Sequence, residues 1–137
     1  MVQKKVLLCT GRLECWSGSE VVIFEMAQEF SKQNFQVDIF TYYARKEIKE
    51  YFSTYGFSIT HHREIDLLNY DVIYTQQNSL SALLNETQII NMCQKGFPCI
   101  IYAHLSPFID IEAPLARLEK KSVLLLLLIV LKQKIVC

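Results

Sequence analysis

What this chain lacks narrows its chemistry before any motif is read. It has no surplus charge of either sign: fourteen lysines and arginines face fourteen aspartates and glutamates. A neutral chain without a basic stripe carries no electrostatic footprint for nucleic acid, so no nucleic-acid partner is expected. No CxxC pair occurs among the five cysteines, Cys9, Cys15, Cys93, Cys99 and Cys137. The Cys9–Cys15 and Cys93–Cys99 spacings do not suit zinc, so no metal is expected. An odd set of thiols in a chain of this size suits a reducing compartment and inert, buried cysteines. No apolar run reaches the roughly 20 residues that span a bilayer. The longest, Val123–Leu131, is less than half of that. The apolar run after Lys4-Lys5 ends at Thr10-Gly11-Arg12, too soon for a signal peptide. A cytoplasmic chain is the expectation. The lysines flanking 123–131 leave room for peripheral contact with the inner face of a membrane.

What is present points to one packed domain. Hydrophobic residues make up 51% of the 137, enough for a core and against disorder. Val6-Leu7-Leu8-Cys9 has no alternation, which suits a strand covered on both faces. Thr10–Ser19 holds two of the four glycines and reads as a loop. Ser17-Gly18-Ser19-Glu20 matches a capping box, in which the Glu20 side chain reaches back to the Ser17 N–H. Val22, Met26 and Phe30, widened by Ile23 and Ala27, form a helical stripe. Gln36–Tyr42 is rich in β-branched and aromatic residues and reads as a second strand.

The alternation continues. Residues 44–52 look helical and Gly56 ends them. Phe57–Thr60 is a short third strand. His61-His62-Arg63-Glu64 reads as a solvated loop, and 65–68 as a single turn. Asp71–Thr75 is a fourth strand. Ser79 or Ser81 opens a helix that runs to about Lys95, with Gly96 and Pro98 as its stop. Pro98–Ala103 is a fifth strand, 111–121 a helix behind Pro114, and 122–130 a further strand. This pattern predicts an α/β fold: a doubly wound, mainly parallel sheet of about six strands with helices on both faces. The loops after the strands then share one edge, where such folds bind ligands. That edge gathers the first loop, Tyr42, Tyr43, Gln76-Gln77-Asn78 and His104.

The first loop excludes two common ligand motifs. Gly11 and Gly18 are too far apart for GxGxxG, and no Gly-Lys-Ser/Thr follows them. The Ser17–Glu20 turn remains. Its N–H groups can hold a phosphate or a hydroxyl-rich ligand, or they can belong to nothing more than a well-capped helix.

Four segments in order resemble a known family. They are the lysine-led first strand with its loop ending in Gly18-Ser19-Glu20, Asn34-Phe35-Gln36-Val37-Asp38-Ile39, Tyr70-Asp71-Val72-Ile73-Tyr74, and Pro98-Cys99-Ile100-Ile101-Tyr102-Ala103-His104. Over residues 4–121 they look like the Rossmann-like N-terminal domain of GT-B-fold glycosyltransferases, best of all family 4, also called group 1. That family commonly has Gly-Gly-x-Glu in the loop and a glycine where Asn34 stands, so this chain departs from it at both glycines.

The resemblance implies transfer of a sugar from a nucleotide-sugar donor to an acceptor hydroxyl, with retention and without a metal or other cofactor. The partner would be a sugar or lipid-linked acceptor. Gly18 and Ser19 would offer backbone N–H groups to the donor phosphates. Ser17 and Glu20 would cap and orient the helix. His104 would stand at the reacting sugar as the catalytic candidate. Tyr42, Gln76 and Asn78 are candidate acceptor contacts because they line the same sheet edge, not because a family motif covers them. The family also has a C-terminal donor-binding domain with paired glutamates, and no such segment lies in these residues. The expectation is therefore a domain at 1–121 followed by an apolar strand or tail at 122–137, inactive without the donor-binding partner domain. The competing reading is a stand-alone Rossmann-like binding or regulatory module without catalysis.

Overall fold

The computed structural model describes residues 2–76, 79, 83–95, 98–103 and 125–126. The elements are β1 (Lys5–Leu13), α1 (Gly18–Lys32), β2 (Gln36–Ala44), α2 (Lys46–Thr54), β3 (Ser58–Thr60), a 3-10 turn (Leu67–Asn69), β4 (Val72–Gln76), α3 (Glu86–Lys95), β5 (Cys99–Ala103) and β6 (Leu125–Leu126). The six strands lie in the order 3-2-1-4-5-6, and every neighbouring pair is parallel. This is the strand order of a Rossmann-like doubly wound sheet.

The unalternating apolar strands sit where their pattern requires, covered on both faces. Val6 and Leu8 of β1 join Val37 and Ile39 of β2 under α1 and α2, which bury Val22, Ile23, Ala27, Ile48 and Phe52. Leu7 and Cys9 face the other way, with Phe40, Ile73 and Ile100, against Leu67 and the partly buried Ile90 and Met92 of α3. Each fully buried Leu, Ile or Phe contributes about 1.5–3 kcal/mol relative to exposure. Burial in this second layer pushes the Cys9 thiol up in pKa, so the thiol is inert. Phe24 locks α1 to α2 through edge contacts with Phe52 (5.3 Å between centroids), Tyr55 (4.9 Å) and Trp16 (5.8 Å).

Helix ends account for Asn34. Asn34, just past α1, has φ 64, and Gly56, just past α2, has φ 80. In both, the chain turns back by the same bonds: Asn34 N to Ser31 O and Phe35 N to Phe30 O, then Gly56 N to Ser53 O and Phe57 N to Phe52 O. Asparagine is the side chain that best replaces glycine in this left-handed position.

Four expectations about boundaries need correction. β1 runs four residues beyond Cys9, because Thr10–Leu13 keep pairing with β2 as far as Leu13↔Ala44. For the same reason β2 runs two residues beyond Tyr42, through Tyr43 and Ala44. Gln76 ends β4 and does not belong to the loop. α3 begins at Glu86, later than a start at Ser79 or Ser81. There Asn85 and Gln88 form the reciprocal pair that caps a helix: Gln88 N donates to Asn85 Oδ1 (2.9 Å) and Asn85 N to Gln88 Oε1 (3.0 Å). Of the strand expected at 122–130, Leu125–Leu126 pair with Ile101 and Tyr102. The helix expected at 111–121 lies outside the described residues.

The register sets up the site. β1 pairs with β4 only as far as Cys9↔Thr75, but with β2 as far as Leu13↔Ala44. The β1–β2 ribbon therefore overhangs the carboxyl edge by four residues, on the order of 13 Å.

Candidate functional site

The overhang stands beside the crevice between β1 and β4, where the strand order reverses. Ligands of doubly wound sheets enter at this point. Glu14–Ser17 leads from the top of the overhang down into α1. The conformation of that turn comes from one buried side chain, Glu20, which is 4% exposed. Its Oε2 accepts from Ser17 Oγ (2.5 Å) and Ser19 Oγ (2.9 Å), and its Oε1 accepts from Glu14 N (3.2 Å). Burial alone would raise the Glu20 pKa. The bonds from Ser17 and Ser19, from its own backbone N–H and from that of Glu14 outweigh burial and hold it below the ordinary carboxylate value.

This is not the predicted capping box. Ser17 does occupy the N-cap, with Val21 N donating to its carbonyl (3.0 Å), but its side chain makes no cap bond. The carboxylate instead gathers donors from the loop. The reason is the long β1: the chain must return from Leu13 to the sheet edge, and Glu20 is the acceptor buried within that return.

A second buried side chain fixes the same turn from behind. Gln76 is fully buried. Its Nε2 donates to Thr10 Oγ1 (2.9 Å) and to Ser19 O (3.1 Å), while Tyr74 Oη donates to its Oε1 (3.2 Å). It thus ties β4 to β1 and to the first turn of α1. In this conformation Gln76 is a brace with no exposed surface to present to an acceptor. Ser79 Oγ donates to Gln76 O (2.6 Å) and closes the end of β4.

On the solvent side of the turn lies a cavity of about 490 Å³, lined among others by Arg12, Glu14, Ser17, Ser19, Tyr42 and Tyr43. Tyr42 and Tyr43 are 40% and 45% exposed. The Arg12 guanidinium stacks over the Tyr43 ring (5.4 Å to the centroid) and pairs with Glu14 Oε1 (2.6 Å). Arg12 and Tyr43 are cross-strand neighbours in the overhang, which explains why they meet. Thr41 Oγ1 donates to Gly11 O (2.9 Å) and stiffens the base of the ribbon.

The structure therefore brings Ser17, Ser19, Glu20 and Tyr42 together around one cavity, with Gly18 in the same turn but not in the cavity lining, and places Gln76 behind it. Asn78 and His104 lie outside the described residues. Gly18 has an ordinary φ, and a Cβ built on it meets nothing within 4 Å. The fold thus has no need of glycine there. The sequence pattern does not single out Arg12 or Glu14: the apolar run stops at Cys9, Arg12 is a polar residue in a strand that looks like loop, and Glu14 lies in the turn itself. The β-branched and aromatic Thr41-Tyr42-Tyr43, the natural strand partners of 10–12, were the available signal. His61 and His62 are exposed, as a solvated loop requires. His61 Nδ1 lies 3.1 Å from Thr41 O, so that nitrogen carries the proton.

No family model, curated protein or solved structure matches this chain. Among the described residues, no group of three His, Cys, Asp or Glu is placed to hold a metal ion, and no helix is long and apolar enough to cross a membrane.

Proposed function

We propose that this chain is the acceptor-side, Rossmann-like domain of a nucleotide-sugar-dependent glycosyltransferase of the GT-B type. One observation carries the reading. The Ser17–Glu20 turn, which bears the resemblance to that family, sits at the switch point of a 3-2-1-4-5-6 sheet and opens onto a cavity of about 490 Å³. The cavity has the lining expected of a sugar site: tyrosine rings for C–H faces, with carboxylate, guanidinium and hydroxyl groups around them. In this reading the donor phosphates stay outside the cavity, at the backbone N–H groups of Gly18 and Ser19, Glu20 and Gln76 hold their turn in place, and Tyr42 and Tyr43 contact the acceptor within it. His104 would act at the reacting sugar. The donor nucleotide belongs to a separate C-terminal domain, and no metal or cofactor takes part.

Saturation-transfer NMR on the 137-residue chain tests this. Simple glycosides should receive magnetisation from the tyrosine protons, and a nicotinamide dinucleotide should receive none. Signal from the dinucleotide with none from any glycoside would overturn the reading. The chain alone should transfer no sugar from a nucleotide-sugar donor. Transfer by the isolated chain would refute the division of the site between two domains.

A further inference from the structure

We infer that the cavity beside the Ser17–Glu20 turn selects an uncharged, hydroxyl-rich sugar and discriminates against phosphorylated or acidic ones. The inference rests on the transferase reading and names the class of acceptor. The first argument is the direction of the hydrogen bonds. The hydroxyl protons of Ser17 and Ser19 both point to Glu20 Oε2 (2.5 and 2.9 Å). Each serine hydroxyl has a single proton and two lone pairs, so towards the cavity both can only accept. Their ligand must therefore bring protons of its own. A sugar hydroxyl does so, while an ionised phosphate or carboxylate offers none.

The second argument is charge. Among the residues lining the cavity, one guanidinium (Arg12) stands against two carboxylates (Glu14 and Glu20). Arg12 already lies on Glu14 (2.6 Å), so its charge is matched before any ligand arrives. Glu20 is ionised at neutral pH because its hydrogen-bond donors hold its pKa down. An anion entering here meets net negative charge. A neutral diol meets a guanidinium donor and a carboxylate acceptor side by side, the complement of two adjacent hydroxyls. The third argument is shape. The Tyr43 ring, 45% exposed, has Arg12 stacked over it and offers an apolar surface next to these polar groups. A pyranose has the same combination of an apolar C–H face and a polar rim.

The test is an amide chemical-shift titration of the 137-residue chain at low salt. The probes are the methyl α-pyranosides of glucose, mannose and galactose, then glucuronate, glucose 6-phosphate and inorganic phosphate. At least one neutral pyranoside should shift amides within 12–20 and 42–43 at millimolar concentration. The charged sugars should bind roughly fivefold or more weakly, the effect of one like charge a few ångströms away in a solvated site. Glu14→Gln, at an exposed position, should narrow that gap at least twofold. Equal or tighter binding of the charged sugars at these residues would overturn the inference and leave the transferase reading standing, whereas shifts that map elsewhere would overturn both. Binding of none of the glycosides would overturn both. Neutral pyranosides that bind here, together with a dinucleotide that binds as well or better, would support this inference and count against the transferase reading.

Discussion

Replacing Glu20 by glutamine probes the turn at its centre. Besides the contact with its own backbone N–H, the carboxylate accepts three hydrogen bonds, from Ser17 Oγ, Ser19 Oγ and Glu14 N. The amide keeps one acceptor oxygen and sets an NH2 group among donors. About two of the three bonds are lost or reversed. Hydrogen bonds to a charged group are worth about 1.5–3 kcal/mol each, and the serine hydroxyls can rotate to recover part of that. The expected cost of Glu20→Gln near pH 7 is about 2–3 kcal/mol. For a chain of 137 residues the unfolding entropy is about 0.3 kcal/mol per kelvin, so Tm should fall by roughly 7–10 °C.

The pH dependence follows from the sign of the shift. The Glu20 pKa is lowered in the folded chain from an ordinary value of 4.5. Its contribution is therefore complete above that value and is lost as pH falls through the folded-state pKa. Urea denaturation should show a constant gap between wild type and Glu20→Gln from about pH 7 to about pH 5, closing below 4.5. Two results would refute this reasoning. One is a gap under about 0.5 kcal/mol at pH 7. The other is a gap that does not shrink in acid.

Four further outcomes are expected. Gly18→Ala should change stability by less than about 0.5 kcal/mol, since no backbone or steric demand holds glycine there; any ligand that approaches the Gly18 backbone should bind several-fold more weakly, by the same NMR titrations. Asn34→Ala should cost about 1 kcal/mol in urea denaturation and Asn34→Gly should cost nothing, because φ is 64 at this position. Gln76→Leu should cost about 2–3 kcal/mol by removing a fully buried three-bond brace, with faster amide exchange in the first turn of α1. Phe52→Ala should cost about 3–4 kcal/mol and shift the emission of Trp16, the chain's single tryptophan, which stacks on that ring at 6.0 Å.

The core was legible because burial writes itself into residue type. Strands covered on both faces read as apolar runs, and Val6–Cys9, Val72–Tyr74 and Ile100–Ile101 all did. α1 announced itself through its stripe, and α2 through Ile48, Phe52 and the terminating Gly56. The register of β1 against its two neighbours was not legible. Nothing in Thr10-Gly11-Arg12-Leu13 distinguishes a strand from a loop until its pairing with Tyr42–Ala44 is known, and that pairing is a tertiary event. The same limit applied to Glu20. The S-x-x-E spacing allows a capping box or a loop-gathering carboxylate, and the return path of the chain from Leu13 decides between them. Asn85-x-x-Gln88 offered a cap of the same type and passed unnoticed beside the serines before it.

The overhang separates two demands that usually compete within one strand. Its root, below Thr10, lies in the middle of the sheet, with β2 and β4 on either side and apolar layers above and below. Its tip carries Arg12 and Tyr43 in solvent. Substitutions at Arg12 and Tyr43 face solvent, while Leu13 beside them is fully buried in the core, and the position of the tip is set by a root that cannot shift without disturbing the whole sheet. Such a cantilever lets recognition drift while its aim stays fixed. Chains sharing this scaffold should differ most at 12, 14, 42 and 43 and least at the buried pair Glu20 and Gln76 that sits beneath them.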